Sequence, residues 1–433
     1  MRIKAIHIAN IPPFAEAFMM YLAEPQTTSE AGKKATVDLI VGQNGTGKSR
    51  ILSCIAYLAG AERAMIRRGM KEPSGGMSLA HVPANSFSGK EPSFRLEMDG
   101  PGSLNEHPGF RGDHTNRDAI FFDHTPVFSY SGTAYIDDSA VQKETSGGRN
   151  DHLTQASFHK PPEYSQLLIR RLIKLQCAGA QEYRARTLGG PRPAIDLLEW
   201  NEYTLAKLEE VLTTHFGQGW PVAFKADVDS PSIEVLWRGS YLGFSMLPDG
   251  FKVILGWLVD LSLRLHESAA ESAFEREAIV LMDEPECHLH PAWQRKLIPV
   301  AQSLFPNVQF IIATHSPFMA MSLNEGRIHK LILGKDGLVK CDSKRAEKGD
   351  SILAAIREIF EIEEMFDPET ELLFAQFRTA KANAVDGMPG AREEAGKILN
   401  QIADRGEELA LIARAEALQL RDILKANPRD IQL

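Results

Sequence analysis

Between residues 42 and 49 the chain reads Gly42-Gln43-Asn44-Gly45-Thr46-Gly47-Lys48-Ser49, three glycines closed by a lysine and a hydroxyl. The spacing is G-x-x-x-x-G-K-[ST]. In it the glycines let backbone N–H groups curl around phosphate oxygens, and a helix N-terminus adds positive dipole. Lys48 is placed to reach β- and γ-phosphates, and Ser49 to offer a hydroxyl to Mg2+. The pattern has force only between a strand and a helix. Val37-Asp38-Leu39-Ile40-Val41 is a short apolar run that stops at Gly42, and Ile51, Leu52, Ile55 and Leu58 recur at helical spacing.

Two further strand ends carry reactive groups. Ile279-Val280-Leu281-Met282 is apolar and ends in Asp283-Glu284. Beside a phosphate loop, Asp283 would hold Mg2+ through water and Glu284 would polarise the attacking water as general base. Ile311-Ile312-Ala313 runs into Thr314-His315-Ser316-Pro317, so that His315 lies 31 residues past Glu284. A histidine there can contact a γ-phosphate and register its loss. A fourth segment, Leu247-Pro248-Asp249-Gly250, leads into a helix at Phe251 and lies between the phosphate loop and the acidic strand end. By itself it reads as a Pro-Asp-Gly turn.

The string Asp283-Glu284-Pro285-Glu286-Cys287-His288-Leu289-His290-Pro291, followed by Thr314-His315-Ser316-Pro317, resembles the ABC-type AAA family ATPases related to the OLD, RecF and SMC proteins. The resemblance spans roughly residues 1 to 340. It implies an α/β fold: an ABC-type P-loop ATPase with a mixed central sheet, an antiparallel β subdomain, an inserted helical lobe and a helical C-terminal tail. It implies ATP and Mg2+ as cofactors and a head-to-tail homodimer or higher oligomer. Glu284 and His315 would then be catalytic, Ser49 and Asp283 would bind the metal, and residues 42–49 would bind the nucleotide. Leu247, Pro248, Asp249 and Gly250 would form the signature that meets the γ-phosphate held by the other subunit. The family pattern is typically L-S-x-G-x, and Pro248 stands where the serine would be. Backbone groups and Gly250, with help from Lys252, would have to make that contact. The resemblance makes Leu289, His290 and Pro291 the loop that crosses the dimer interface. Cys287, His288 and His290 are then turn residues and not a metal site. The family also has a polar residue after the first lobe; it has no clear counterpart here, although Ser129, Tyr130 and Ser131 sit near the expected place.

These residues need a scaffold, and the 433-residue chain has ordinary globular composition, 43% hydrophobic and 24% charged. A net charge of −9 excludes a whole-chain basic field for non-specific DNA binding. No stretch reaches the roughly 20 apolar residues of a membrane span. The run around Val253 to Leu263 is interrupted by Asp260, and Pro12 and Pro13 follow too early for a secretory signal. Cys54, Cys177, Cys287 and Cys341 are scattered, which fits a reducing cytoplasm.

Strands are expected at Met1–Ile8, Ser93–Met98, Ala119–Phe122, Val127–Tyr130, Val222–Val228 and Ile233–Trp237, and a hairpin across Leu331–Val339 through Asp336-Gly337. Helical stretches are expected at Tyr164–Arg186, Ile195–Phe216 and Phe251–Leu265. The organisation expected is an ATPase domain over 1–345, with the helical lobe at about 160–216, and a helical region over 346–433. That last region holds 11 Lys+Arg against 18 Asp+Glu. Its later helices, Ala391–Ala403 and Gly406–Leu424, read as too polar for a core and so as a surface for assembly or a partner.

The short lobe and acidic tail resemble ATPase subunits of bacterial antiphage operons, as in Septu-like and retron-associated systems. There the ATPase accompanies a nuclease, and no TOPRIM or H-N-H pattern is evident in this chain. The resemblance therefore implies an ATP-controlled sensor or regulator of a separate nuclease effector. An alternative is a RecF- or SMC-like repair ATPase clamping DNA, with Arg67, Arg68, Lys71, Arg170, Arg171 and Lys174 forming a basic groove. A transporter nucleotide-binding subunit is a weaker alternative, because transporter ATPases tend to have S-x-L-D after the glutamate.

Overall fold

The computed structural model describes residues 2–9, 11, 13–14, 17–24, 34–58, 93–99, 127–131, 204–217, 224–227, 232–237, 239–243, 246–267, 273–346, 355–360 and 365–424. The expected strand at Ala119–Phe122, the helix at Tyr164–Arg186 and the six candidate basic-groove residues lie outside them. The chain divides into two compact units, Met1–Phe360 and Glu361–Leu433.

The strands of the first unit begin with β1 (Arg2–Ala9), β2 (Phe18–Tyr21), β3 (Thr36–Gly42), β4 (Ser93–Asp99) and β5 (Val127–Ser131). Next come β6 (Phe224–Asp227), β7 (Ser232–Trp237) and β8 (Ser240–Gly243). The last are β9 (Ala278–Asp283), β10 (Val308–Ala313), β11 (Arg327–Leu333) and β12 (Val339–Arg345). Its helices are α1 (Lys48–Leu58), α2 (Leu205–Phe216), α3 (Asp249–Glu267), α4 (Pro291–Leu304) and α5 (Pro317–Ser322).

A mixed six-stranded sheet has the order β12-β11-β3-β10-β9-β5. All neighbours are parallel except the β11–β12 hairpin, which turns through Asp336-Gly337 as expected. Strands β9 and β10 are buried along their full length, the pattern of parallel strands covered on both faces. Alternation then assigns side chains to layers. Val37, Leu39, Val280, Met282, Phe310 and Ile312 point to a core shared with α3, α4 and α2. Ile40, Ile279, Leu281 and Ile311 point to the opposite core, with Ile51, Leu52 and Ile55 of α1. Leu52 is fully buried there, so Leu52→Ala would cost about 2–5 kcal/mol.

An antiparallel sheet, β2-β1-β4, closes that second core. Buried Gln309 ties it to the central sheet: its Oε1 accepts from Ile3 N and its Nε2 donates to Ile3 O, both at 2.9 Å. A third sheet is β6-β7-β8. The end of the expected lobe, α2, belongs to the main core. Leu208, Val211 and Leu212 are buried in it, and Phe216 meets Trp293 of α4 edge-on at 5.5 Å. A π-helical turn, Ala355–Ile359, adds Ala355 and Ile359 to the same core, so the start of the region past residue 345 packs back on this unit.

The second unit holds α6 (Pro368–Val385), α7 (Ala391–Ala403) and α8 (Glu407–Leu424). Its helices are not surface only, contrary to the reading from polarity. Phe377, Ala395, Ile398, Leu399, Ile402, Leu409, Ala413, Ala417 and Leu420 form a core of their own. On α6, Phe377 and Ala380 are buried in that core and Leu373 packs against it, whereas Leu372 is exposed. Asp367 caps α6 through Glu369 N and Thr370 N, and Arg405 reaches back to Asp367 and Glu369.

Candidate active site

The parallel strands deliver their C-terminal ends to one edge of the sheet. Register places Ala313 beside both Ile40 and Asp283, and Ser131 beside Asp283. Open α/β sheets place ligands at this edge, where helix N-termini also point.

The phosphate loop is shaped by its glycines. Gly42, Gly45 and Gly47 have φ of 151°, 84° and 90°, a region that side chains rarely adopt. A Cβ on Gly42 would stand 2.6 Å from Leu331 O, and one on Gly47 would stand 2.6 Å from Phe14 Cζ. Thr46 folds its hydroxyl onto Gln43 O at 2.9 Å. Lys48 is buried and donates to Gly42 O and Gln43 O at 2.8 and 2.9 Å, which holds its ammonium along the inner rim of the loop. Burial lowers its pKa to about 8, against the opposing pull of Glu284 and Glu286.

Ser49, one residue on, donates to Asp283 Oδ1 at 2.7 Å. A hydroxyl and a carboxylate at this separation form a donor set that suits Mg2+, one ligating directly and the other through water. The fit rests on that pair beside the glycine loop, whose sequence pattern implies phosphate oxygens there.

Glu284 follows the strand end with φ 53°, unusual for a non-glycine residue. Its N–H is fixed by Ala313 O at 2.8 Å, so the chain turns sharply and the carboxylate faces the neighbouring strand end. His315 Nε2 stands 3.7 Å from Glu284 Oε1, beyond direct hydrogen bonding, and both side chains are partly exposed. Burial and the Lys48 charge lower the His315 pKa, while Glu284 opposes them. A neutral imidazole and a carboxylate thus face the same space beside the loop. Cys287 Sγ lies 3.7 Å from Glu284 Oε2; burial and the charges of Glu284 and Glu286 push this thiol up to about 11, so it stays protonated and a donor.

Two supporting residues escaped the sequence reading. Glu286 is buried, and its Oε1 accepts from Thr314 Oγ1 at 2.5 Å and from His315 N at 2.8 Å. Gln294 accepts from Ser316 Oγ at 2.5 Å and donates to Leu289 O at 2.9 Å and Glu286 O at 3.4 Å. Glu286 was visible within the motif string, but its partner lies 28 residues away. Tyr130, one of three candidates for the missing polar residue, donates to buried Asp260 Oδ2 at 3.0 Å.

Leu247-Pro248-Asp249-Gly250 opens α3. Phe251 N and Lys252 N both bond Pro248 O, and Lys252 Nζ meets Asp249 Oδ1 at 3.1 Å. Gly250 packs on the turn after the acidic strand, where an added Cβ would stand 3.2 Å from His288 O. Leu289 of that turn is buried, and His290 caps α4 by accepting from Ala292 N at 3.2 Å. The four segments singled out in the sequence thus form two groups. Residues 42–49, Asp283, Glu284 and His315 meet at the sheet edge, and residues 247–250 pack on the 288–289 turn.

The model of an AAA domain family, described as putative AbiEii toxin, Type IV TA system, matches residues 241–322. "Septu protein PtuA" of Bacillus thuringiensis is 24% identical over 302 residues, 67% of this chain and 69% of its own length. "Retron Vc95 probable ATPase" of Vibrio cholerae serotype O1 biovar El Tor is 31% identical over 24% of this chain, and the match spans 22% of that relative. Among solved structures, an SmcHead bound to the C-winged helix domain of ScpA is 14% identical with a TM-score of 0.43, over 80% of this chain and 98% of the other. By sequence this chain is thus similar to the Septu and retron ATPases, and its residues 241–322 are similar to the AAA domain family.

Proposed function

We propose that the protein binds ATP with Mg2+ and hydrolyses it to ADP and phosphate as a head-to-tail homodimer, and that its nucleotide state controls a separate nuclease effector in bacterial antiphage defence. The observation that carries the ATPase reading is the meeting of Ser49, Asp283, Glu284 and His315 beside the glycine loop, with Ser49 and Asp283 already 2.7 Å apart. The defence assignment follows the Septu and retron relatives.

In this reading the loop N–H groups and Lys48 hold the β- and γ-phosphates. Ser49, and Asp283 through water, hold Mg2+, which supplies charge neutralisation at the phosphates. Glu284 takes the proton of the attacking water. His315 contacts the γ-phosphate and reports its departure. Residues 247–250 and the Leu289–Pro291 turn face the partner, and their direct packing makes a shift at one a shift at the other. None of the described helices is long and apolar enough to cross a membrane.

Mixed dimers test the arrangement. Lys48→Ala and Gly250→Asp should each release little phosphate alone. Mixed in equal amounts, they should regain activity, because a head-to-tail seam then contains one intact site. Absence of regain, with both variants folded, would remove the shared-site dimer. Absence of phosphate release by the wild type would remove the ATPase reading itself. Co-purification with an operon-encoded nuclease, changed by ATP, tests the effector step.

A further inference from the structure

Glu286 is the least explained group at the sheet edge. It has 7% of its surface exposed, lies two residues past the proposed base, and has no part in the chemistry proposed above. Its Oε1 instead bridges two donors of the neighbouring strand end, the Thr314 hydroxyl and the His315 backbone N–H. A buried carboxyl oxygen with two short hydrogen bonds is a rigid joint, because breaking either bond leaves a buried polar group unsatisfied. Thr314 is fixed on its other side, its N–H donating to Ile40 O at 3.1 Å in the strand that enters the phosphate loop. Gln294 holds the Glu286 turn from behind and meets Ser316. Among the described residues, the polar partner of the His315 ring is Glu284 at 3.7 Å, a looser hold than the two bonds to Glu286 Oε1.

From this we infer that Glu286 is a positioning residue for hydrolysis: by clasping Thr314 and the His315 N–H, it sets the His315 imidazole at its working distance from Glu284. The inference rests on the ATPase reading. It assigns Glu286 no contact with nucleotide and no proton to transfer. What the joint requires is an acceptor oxygen, not a charge, so glutamine should serve and an apolar isostere should not.

The test compares Glu286→Gln, Glu286→Leu and Thr314→Val by steady-state phosphate release and nucleotide titration. Glu286→Gln should keep at least half of wild-type kcat, because its carbonyl can accept both bonds. Glu286→Leu should lower kcat about tenfold or more while nucleotide Kd stays within twofold, the split expected when a group in the transition state is misplaced. Should Glu286→Leu fail to fold, Thr314→Val reads the same joint from its partner, with kcat down about threefold to tenfold at unchanged Kd. The His315 imidazole Cε1–H resonance, assigned by loss in His315→Gln, should shift in Thr314→Val and match wild type in Glu286→Gln. Wild-type kcat in Thr314→Val, or equal losses in Glu286→Gln and Glu286→Leu, would overturn the inference. An inactive wild type would instead strike at the ATPase reading.

Discussion

Ser49 Oγ donates to Asp283 Oδ1 at 2.7 Å, although 234 positions separate the two residues. The first turn of α1 and the last residue of β9 are thereby registered to each other within one hydrogen bond. Neither residue can move far without disturbing the other, so an ion held between them would meet a preformed pair.

Lys48→Ala should weaken ATP binding severely. Lys48 is the residue whose ammonium lies along the inner rim of the loop, and charge-assisted bonds to phosphate are the strong ones. Titration with a fluorescent nucleotide should show an affinity loss of about 100-fold, equivalent to one or two such bonds at about 1.5–3 kcal/mol each. Unchanged affinity would sink the assignment of this loop.

Glu284→Gln should keep ATP bound and stop its hydrolysis, since an amide cannot accept the water's proton. Phosphate release should fall by about 10²- to 10⁴-fold, the usual range for loss of a general base. Light scattering should show a larger species persisting with ATP and Mg2+. Turnover at the wild-type rate would mean that another group is the base.

Stability should depend on pH through His329, deep in the central sheet. Its Nε2 donates to Asp38 Oδ1 at 2.9 Å and its Nδ1 pairs with Ser343 Oγ at 2.8 Å. Burial opposes the charge, but the bond to Asp38, aided by Cys341, outweighs it and raises the pKa to about 9. The folded state therefore holds this proton more tightly than the unfolded chain. The stabilisation is complete below about pH 6.5 and is lost as pH rises through about 9, on the order of 3 kcal/mol at most. Denaturant midpoints between pH 6 and 9.5 should fall across that window. A profile in His329→Gln with the same slope would assign the loss to other groups.

Truncation after Phe360 should leave nucleotide binding within about twofold of the full chain and remove higher assembly or partner capture. The second unit has its own core, so the cut belongs at its border. A cut at Asp386 would strip α7 and α8 from Phe377 and expose an apolar face. Calorimetry of nucleotide binding and mass in solution would check this. Unchanged assembly in the truncated protein would free the second unit of that role.

Much of the site was legible because its parts are local. The loop, the Asp283-Glu284 pair and His315 each sit at the end of an apolar run that can only be a buried strand. What was missed acts across distance or through small residues. Glu286 shows its purpose only beside Thr314. Asp38 interrupts an apolar strand for a reason found at His329, 291 positions on. The C-terminal core was misjudged because Ala395, Ala413 and Ala417 count little as hydrophobes, yet they let helices approach closely enough to bury Leu399 and Leu420. Helix α2 read as part of a lobe because periodicity shows an apolar stripe but not what covers it.

The packing behind Gly42 and Gly47 has a mechanical consequence. Leu331 O backs one end of the loop and the Phe14 ring backs the other, each too close to admit even a methyl group. A loop braced from the rear has no room to recoil when its cargo enters or leaves. In the proposed ATPase it would act as an anvil, and the travel of nucleotide exchange would fall to the opposite jaw: the sharp turn at Glu284 and the His315 ring.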